Sequence, residues 1–209
     1  GYVCSLIEKE GKGSEEYVAG EKYFHEQLSK EVESTVLTPD LNNDEDIGRL
    51  ESVSEKIDSQ FIKEFCAENR ISPNILFMSS TILALNKYTF SDKTLLTTIF
   101  NGRLNSNYYN TQAFLVKTFP IVSINEDRNI SVRQLFSQID GLWKDGIKHS
   151  NYPYINIADE FDLKPEFMYT YNNLEKEKVK FGNDVYSIEY LNSLETDYKI
   201  TFDVNETED

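Results

Sequence analysis

Tyr17, Gly20, Phe24 and Leu28 recur at the spacing of one helix face, which predicts a helix over about Ser14–Glu31. Ser14 can accept from the free amides of the first turn, and Glu15 and Glu16 suit its positive end. The aromatic stripe reads as core packing. Thr38-Pro39-Asp40 through Asp46 reads as loop, followed by a short strand near Arg49–Ser54. A second helix, about Asp58–Asn69, places Ile57, Phe61, Ile62, Phe65 and Cys66 on one face. A third starts at Pro73, whose missing amide is harmless in a first turn, and runs to about Tyr88. Ile75, Leu76, Phe77, Met78, Ile82, Leu83 and Leu85 cover much of its circumference, so it should be central and covered on several sides.

The period then changes. In Lys93–Phe100, Leu95, Thr97 and Ile99 alternate with Leu96, Thr98 and Phe100; two apolar or β-branched faces predict an interior strand. Gly102-Arg103 ends it, and a loop rich in Asn, Ser and Tyr runs to about Thr111. Val116–Ile124 reads as a strand in which Pro120 argues for an edge or a bulge. The clearest helix is Ser131–Lys148: Ser131 and Gln134 form a capping-box pattern, and Val132, Leu135, Phe136, Ile139, Leu142, Trp143 and Ile147 make one stripe. Asn151–Pro153 closes it, and a short helix near Ile155–Phe161 follows. The remainder alternates as strands over Phe167–Tyr171, over Val185–Leu191 with Tyr186, Ile188 and Tyr190 on one face, and over Tyr198–Val204. Helices and strands in this irregular order predict one domain over 1–209, an α/β (α+β two-layer sandwich) fold with a mixed β-sheet flanked by helices.

Composition supports a folded chain. The 209 residues are 39% hydrophobic and include 13 Tyr and 13 Phe, too many for disorder. Net charge is 21 − 36 = −15, a field that repels phosphate backbones and anionic lipid, so neither nucleic acid nor membrane is an expected partner. The acidic runs Asp40–Glu51 and Asp203–Asp209 read as solvated loops or ends. Cys4 and Cys66 do not make a disulfide framework, and Cys66 falls on an apolar helix face, which fits a reducing cytoplasm. No apolar run nears the ~20 residues of a membrane span. The chain lacks an initial Met and starts as if inside an element, so it reads as an excised piece.

Candidate chemistry is sparse. His25 and His149 have no second His or Asp at a spacing typical of a metal or triad site. His25 reads as a surface or partly buried structural residue, and His149 as a cation at the negative end of the long helix. No GxGxxG, GxxxxGK[ST] or GxSxG is present, and Asp44/Asp46 lack apolar surroundings that would raise a pKa. These residues alone point to no reaction and to no metal.

Short motifs in a fixed order carry more. Ser14-Glu15-Glu16-Tyr17 with Glu21-Lys22-Tyr23-Phe24-His25-Glu26-Gln27-Leu28 resembles the "SeeY…k.YWkeqL" helix of condensation domains, with Phe24 in place of the usual Trp. Phe65–Phe77, containing Ile71-Ser72-Pro73, is similar to that family's helix–"kvSpsvlf"–helix junction. Asn101-Gly102-Arg103 matches its "sGR" turn. Val116-Lys117-Thr118-Phe119-Pro120 resembles "FVNTlP", with Leu115 at the aromatic position and Lys117 for Asn. His149-Ser150-Asn151-Tyr152-Pro153-Tyr154 resembles "HQDYPFE", and Phe167–Asn173 the "fdvmfnyqn" strand. The resemblance is to the C-terminal lobe of a nonribosomal-peptide-synthetase condensation domain, a member of the chloramphenicol-acetyltransferase-like superfamily.

The resemblance implies a parent enzyme of acyltransferase type that forms an amide bond as a carrier-bound acceptor amine attacks the thioester of a carrier-bound donor. It implies no cofactor in this domain, because phosphopantetheine arrives on the carrier proteins. The implied partners are the N-terminal lobe, peptidyl carrier protein domains and an adjacent adenylation domain. The family's HHxxxDG motif belongs to the N-terminal lobe and does not occur here, so no catalytic residue is assigned and the lobe alone should be inactive. The chain is expected to lack that lobe and the family's final segment. Residues implied for the wall of the interlobe channel are Arg103, Lys117, Thr118, His149 and Tyr152. Arg103 could instead pair with a nearby carboxylate, and Tyr152-Pro153 could instead be a turn that fixes the helix end. An epimerisation or cyclisation domain, a stand-alone CoA-dependent acyltransferase relative and a non-catalytic scaffold that docks carrier proteins remain alternatives.

Overall fold

The computed structural model describes residues 2–29, 33–38, 50–104, 106–109, 111–125, 130–173, 178–182, 184–187 and 197–206. The helices are α1 (Tyr2–Glu10), α2 (Glu15–Leu28), α3 (Ser59–Asn69), α4 (Pro73–Thr89), α5 (Val132–His149) and α6 (Tyr154–Glu160). The strands are β1 (Lys93–Phe100), β2 (Lys117–Ile124), β3 (Phe167–Asn173), β4 (Lys178–Phe181), β5 (Asp184–Ser187) and β6 (Ile200–Glu206).

Start signals act where the sequence places them. Ser14 Oγ accepts from Tyr17 N–H, and Ser72 caps α4 one residue before Pro73. Ser131 and Gln134 close a reciprocal capping box on α5. Asp58 caps α3 by accepting from the amides of Gln60 and Phe61. Such caps each contribute about 1 kcal/mol by satisfying amides that the helix itself leaves free.

The main sheet has the order β2-β1-β3-β6, and β4-β5 form a separate hairpin. β1 pairs antiparallel with β2 and parallel with β3, and β3 pairs parallel with β6. β1 is thus interior, and β2 is an edge strand in which Pro120 faces Thr97 without a bulge. Strand pairing fixes two faces. Leu96, Thr98 and Phe100 share one with Phe119, Ile121 and Tyr169; Phe100 and Phe119 meet Trp143 of α5, and the Tyr169 hydroxyl donates to Asn74 of α4. Leu95, Thr97 and Ile99 share the other with Thr118, Pro120, Met168 and Thr170, where Tyr154 of α6 reaches Thr97 at 3.4 Å. The mixed sheet flanked by helices is therefore as expected.

The core joins α2, α4, α5, α6 and the sheet in one cluster that includes Phe24, Met78, Ile82, Leu96, Phe119, Ile139, Tyr152 and Ile157. Cys66 is buried, as its helix face predicts, and Cys4 is exposed.

Several expectations change. Residues 50–57 form no strand, because nothing pairs with them among the described residues. α1 was not legible in the pattern, and β4 turns the late strand at 185 into a hairpin. Ile57 and Phe61 are exposed rather than inward, since α3 buries only Cys66 fully. α4 is buried along Ile75, Met78, Ile82 and Leu85, whereas Leu83 is exposed. Asp203 to Glu206 belong to β6 and not to a loose end. The loop from Pro39 to Asp46, and Ile188 and Tyr190, lie outside the described residues. Among the described residues no helix is long and apolar enough to cross a membrane.

Candidate functional site

The five residues singled out in the sequence fall into two groups. Arg103, Lys117 and Thr118 stand at one end of the β1–β2 pair, while His149 and Tyr152 stand where α5 ends.

At the first group, β1 leaves the sheet through Gly102, whose φ of +71° suits glycine. A side chain there would overlap the backbone carbonyl of Leu115, which returns toward β2. Arg103 holds the two ends of this excursion together. Its amide donates to Asn101 Oδ1 at 2.9 Å, and its guanidinium donates to the carbonyls of Asn101 and Thr111 at 3.1 and 3.2 Å. Among the described residues the guanidinium thus binds backbone and no carboxylate, and it holds the loop in shape. The loop it closes exposes Leu104, Tyr109 and Phe114.

Lys117 and Thr118 are consecutive and point to opposite faces of β2. Lys117 pairs with Phe100 on the α5 side and forms an ion pair with Glu10 of α1. Burial pulls its ammonium below the usual lysine range. Thr118 pairs with Ile99 on the other face, half-buried.

That second face continues into a polar row that sequence reasoning missed. The Thr170 hydroxyl donates to Asp203 Oδ1 at 2.5 Å, and the Asn172 amide donates to Asn205 Oδ1 at 3.2 Å, across the parallel β3–β6 pair. The period-two polarity of Thr170, Asn172, Asp203 and Asn205 was the available signal; the reading of Asp203 onward as an acidic tail hid it.

At the second group the geometry is a packed junction. α2 crosses the end of α5 at Gly20, where an added Cβ would lie 2.6 Å from the His149 carbonyl oxygen and 2.7 Å from Tyr152 Cβ. The His149 ring stacks on Tyr23 with centroids 4.5 Å apart and planes 14° apart. Burial, with the neighbouring Lys148, lowers the His149 pKa. The lowered pKa works against the cation expected at the helix end, where the ring stacks on Tyr23 instead. Burial pushes the Tyr23 phenol up to about 12, with Asp145 adding to it.

Tyr152 is only 1% exposed, and its ring meets Tyr17 edge-on at 5.0 Å. Its hydroxyl donates to Glu160 Oε1 at 2.6 Å, while Glu160 Oε2 lies 2.8 Å from His25 Nε2. Burial, then the bond to Glu160, raises the Tyr152 pKa; the same bond, then His25, holds Glu160 below the usual carboxylate range. Asn156 Nδ2 donates to the Tyr17 hydroxyl at 2.9 Å. Residues 150–153 form the turn between α5 and α6, with Tyr152 as its anchor.

His149 sets an acid limit on stability. Its folded pKa lies below the ordinary 6.5, so on acidification the unfolded chain takes the proton first. Stability from this group is present above pH 6.5 and declines as pH falls through 6.5 toward the folded pKa. Thermal midpoints at pH 7.5 and 5.5 should therefore show a smaller acid-side fall in His149→Phe, which keeps a ring on Tyr23 but cannot protonate. Equal falls in both proteins would refute the assignment.

The family model described as Condensation domain matches residues 5–209. Among solved structures, SgcC5 protein from Streptomyces globisporus superimposes with a TM-score of 0.74 at 11% identity, covering 97% of this chain and 50% of that one. The condensation domain of the Monacolin K polyketide synthase MokA gives a TM-score of 0.69 at 13% identity, covering 92% of this chain and 49% of the other. The first condensation domain of the CDA synthetase gives 0.61 at 13% identity, covering 84% of this chain. The chain spans 40% of the length of that last domain. No curated protein matches the chain.

Proposed function

Because the chain belongs to the condensation-domain family, we propose that it forms the C-terminal lobe of an acyltransferase-type, amide-bond-forming nonribosomal peptide synthetase domain. The single observation behind this reading is the family match over residues 5–209, nearly the whole chain. The reaction joins a donor thioester and an acceptor amine, each delivered on the phosphopantetheine arm of a carrier protein. The nitrogen attacks the thioester carbonyl, the thiolate leaves, and the amine's proton passes to a base. No HHxxxDG occurs in these 209 residues, so the base or positioning histidine is assigned to an N-terminal lobe. Peptidyl carrier domains and an adenylation domain are the proposed neighbours, in the cytoplasm.

This lobe's part is to build a wall. Five channel candidates then separate by geometry. Thr118 lies half-buried on the sheet face that also carries Thr170 and Asn172 and is the better candidate for contact with a pantetheine amide or the second lobe. Arg103 shapes the loop beside it, and Lys117 ties α1 to β2. His149 and Tyr152 act as positioning residues that fix α2 against α5 and α6.

The test is amide formation from loaded donor and acceptor carrier proteins, followed by mass spectrometry. The purified 209 residues should give none, and a two-lobe protein carrying HHxxxDG should give product. Turnover by the 209 residues alone would refute the assignment of catalysis to the other lobe. No carrier-linked product from the two-lobe protein would favour the scaffold reading.

A further inference from the structure

We propose that Glu21, His25 and Glu160 form a divalent-cation site, best suited to zinc, that clamps α2 to α6. One nitrogen or oxygen from each residue lies within 4.8 Å of the others, and the three come from helices 135 positions apart. Glu21 and His25 are four residues apart on α2, so they stand one turn above each other on the same face. Glu160, the last residue of α6, closes the third side.

The ligand set suits zinc: one imidazole nitrogen and two carboxylate oxygens, with a fourth position open to water. Two carboxylates also balance the charge of a divalent ion. In a tetrahedral site the ligand atoms lie about 3.4 Å apart, each about 2.1 Å from the ion. Reaching that spacing requires His25 Nε2 and Glu160 Oε2, now 2.8 Å apart, to open slightly while the flexible Glu21 side chain closes on them.

The surroundings are already those of a supported site. The buried Tyr152 hydroxyl donates to Glu160 Oε1 and fixes that carboxylate, leaving Oε2 toward His25. The His25 ring is held edge-on against Phe161 at 5.1 Å. Outer contacts of this kind orient metal ligands and are worth roughly 10–100-fold in affinity. In the metal-free protein His25 Nε2 and Glu160 Oε2 pair directly at 2.8 Å, and Lys12 adds its field to Glu160. Zinc takes the place of the hydrogen between them, with the imidazole keeping its hydrogen on Nδ1.

Glu21 separates a cation site from a simple hydrogen-bond staple. Tyr152, Glu160 and His25 explain one another through their bonds, whereas no hydrogen bond to Glu21 is described. Zinc chloride is titrated into the purified chain by calorimetry in a non-chelating buffer, and thermal midpoints are read with and without it. The expected result is one saturable site and a zinc-dependent rise in midpoint. Glu21→Gln should weaken zinc binding at least tenfold while leaving the metal-free midpoint unchanged, and His25→Ala should abolish it. Tyr152→Phe should weaken it about tenfold or more through the freed carboxylate. Unchanged affinity in Glu21→Gln or His25→Ala would place the ion elsewhere, for example on Cys4, and overturn the proposal. So would the absence of saturable binding.

Discussion

Gly102→Ala is expected to lower stability by about 3 kcal/mol, read as a fall in the urea midpoint. Two causes add. A non-glycine residue at φ +71° carries strain of about 1 kcal/mol or more, and the new methyl collides with the Leu115 carbonyl. That oxygen belongs to backbone, so no side-chain rotation relieves the overlap; the Asn101–Leu115 excursion must open and Arg103 loses its carbonyl partners. Gly182 supplies the control, because its φ is +62° but among the described residues nothing lies within 4 Å of an added Cβ. Gly182→Ala should show the strain alone. Equal losses in the two variants would mean that the close approach at Leu115 does not constrain the fold. For a domain stable by about 5–15 kcal/mol, the expected loss at Gly102 is a large share.

The second large effect is one of sign. Alanine exceeds glycine in helix propensity by roughly 0.8–1 kcal/mol, so propensity alone says that Gly20→Ala in α2 should stabilise. Packing opposes it. The added Cβ would lie 2.6 Å from the His149 carbonyl and 2.7 Å from Tyr152 Cβ, and neither is the free end of a mobile chain. Overpacking costs typically 1–3 kcal/mol, and pushing α2 outward also stretches the His25–Glu160 contact. The net expectation is a loss of up to about 2 kcal/mol. Gly141→Ala in α5 meets nothing within 4 Å among the described residues and should instead gain up to about 1 kcal/mol. Chemical denaturation of both variants decides the matter: gains of the same size at both positions would show that α2 does not depend on a bare backbone at Gly20.

What could be read in advance follows the range of the interaction. The capping box at Ser131, the Pro73 start and the two-faced pattern of β1 are each written within a few residues, and each was legible. α5 was clear because its apolar stripe is long and its opposite face polar. α1 was not, since Tyr2–Glu10 is short and its stripe too brief to count. The strand expected near residues 49–54 failed for the converse reason, as local composition cannot supply a pairing partner. The site shows the same division. Motif order singled out Arg103, Lys117, Thr118, His149 and Tyr152 as channel candidates, but the bond from Tyr152 through Glu160 to His25 joins residues with no common spacing. Likewise, only the register of β3 on β6 reveals that Asp203 is the acceptor of Thr170.

The sheet order also dictates a schedule for the growing chain. β1 finds its antiparallel partner β2 soon after both are made, but its other edge waits for β3. Thr98 and Tyr169, which meet there, are 71 positions apart. At about 5–20 residues per second, a ribosome needs roughly 4–14 s to cover that distance. Throughout that interval the half-built sheet offers an open edge at Thr97 and Thr98, and α5 and α6 emerge before the strand that fills it. Nascent chains of this lobe are therefore most open to mispairing with one another while residues 101–166 are being synthesised.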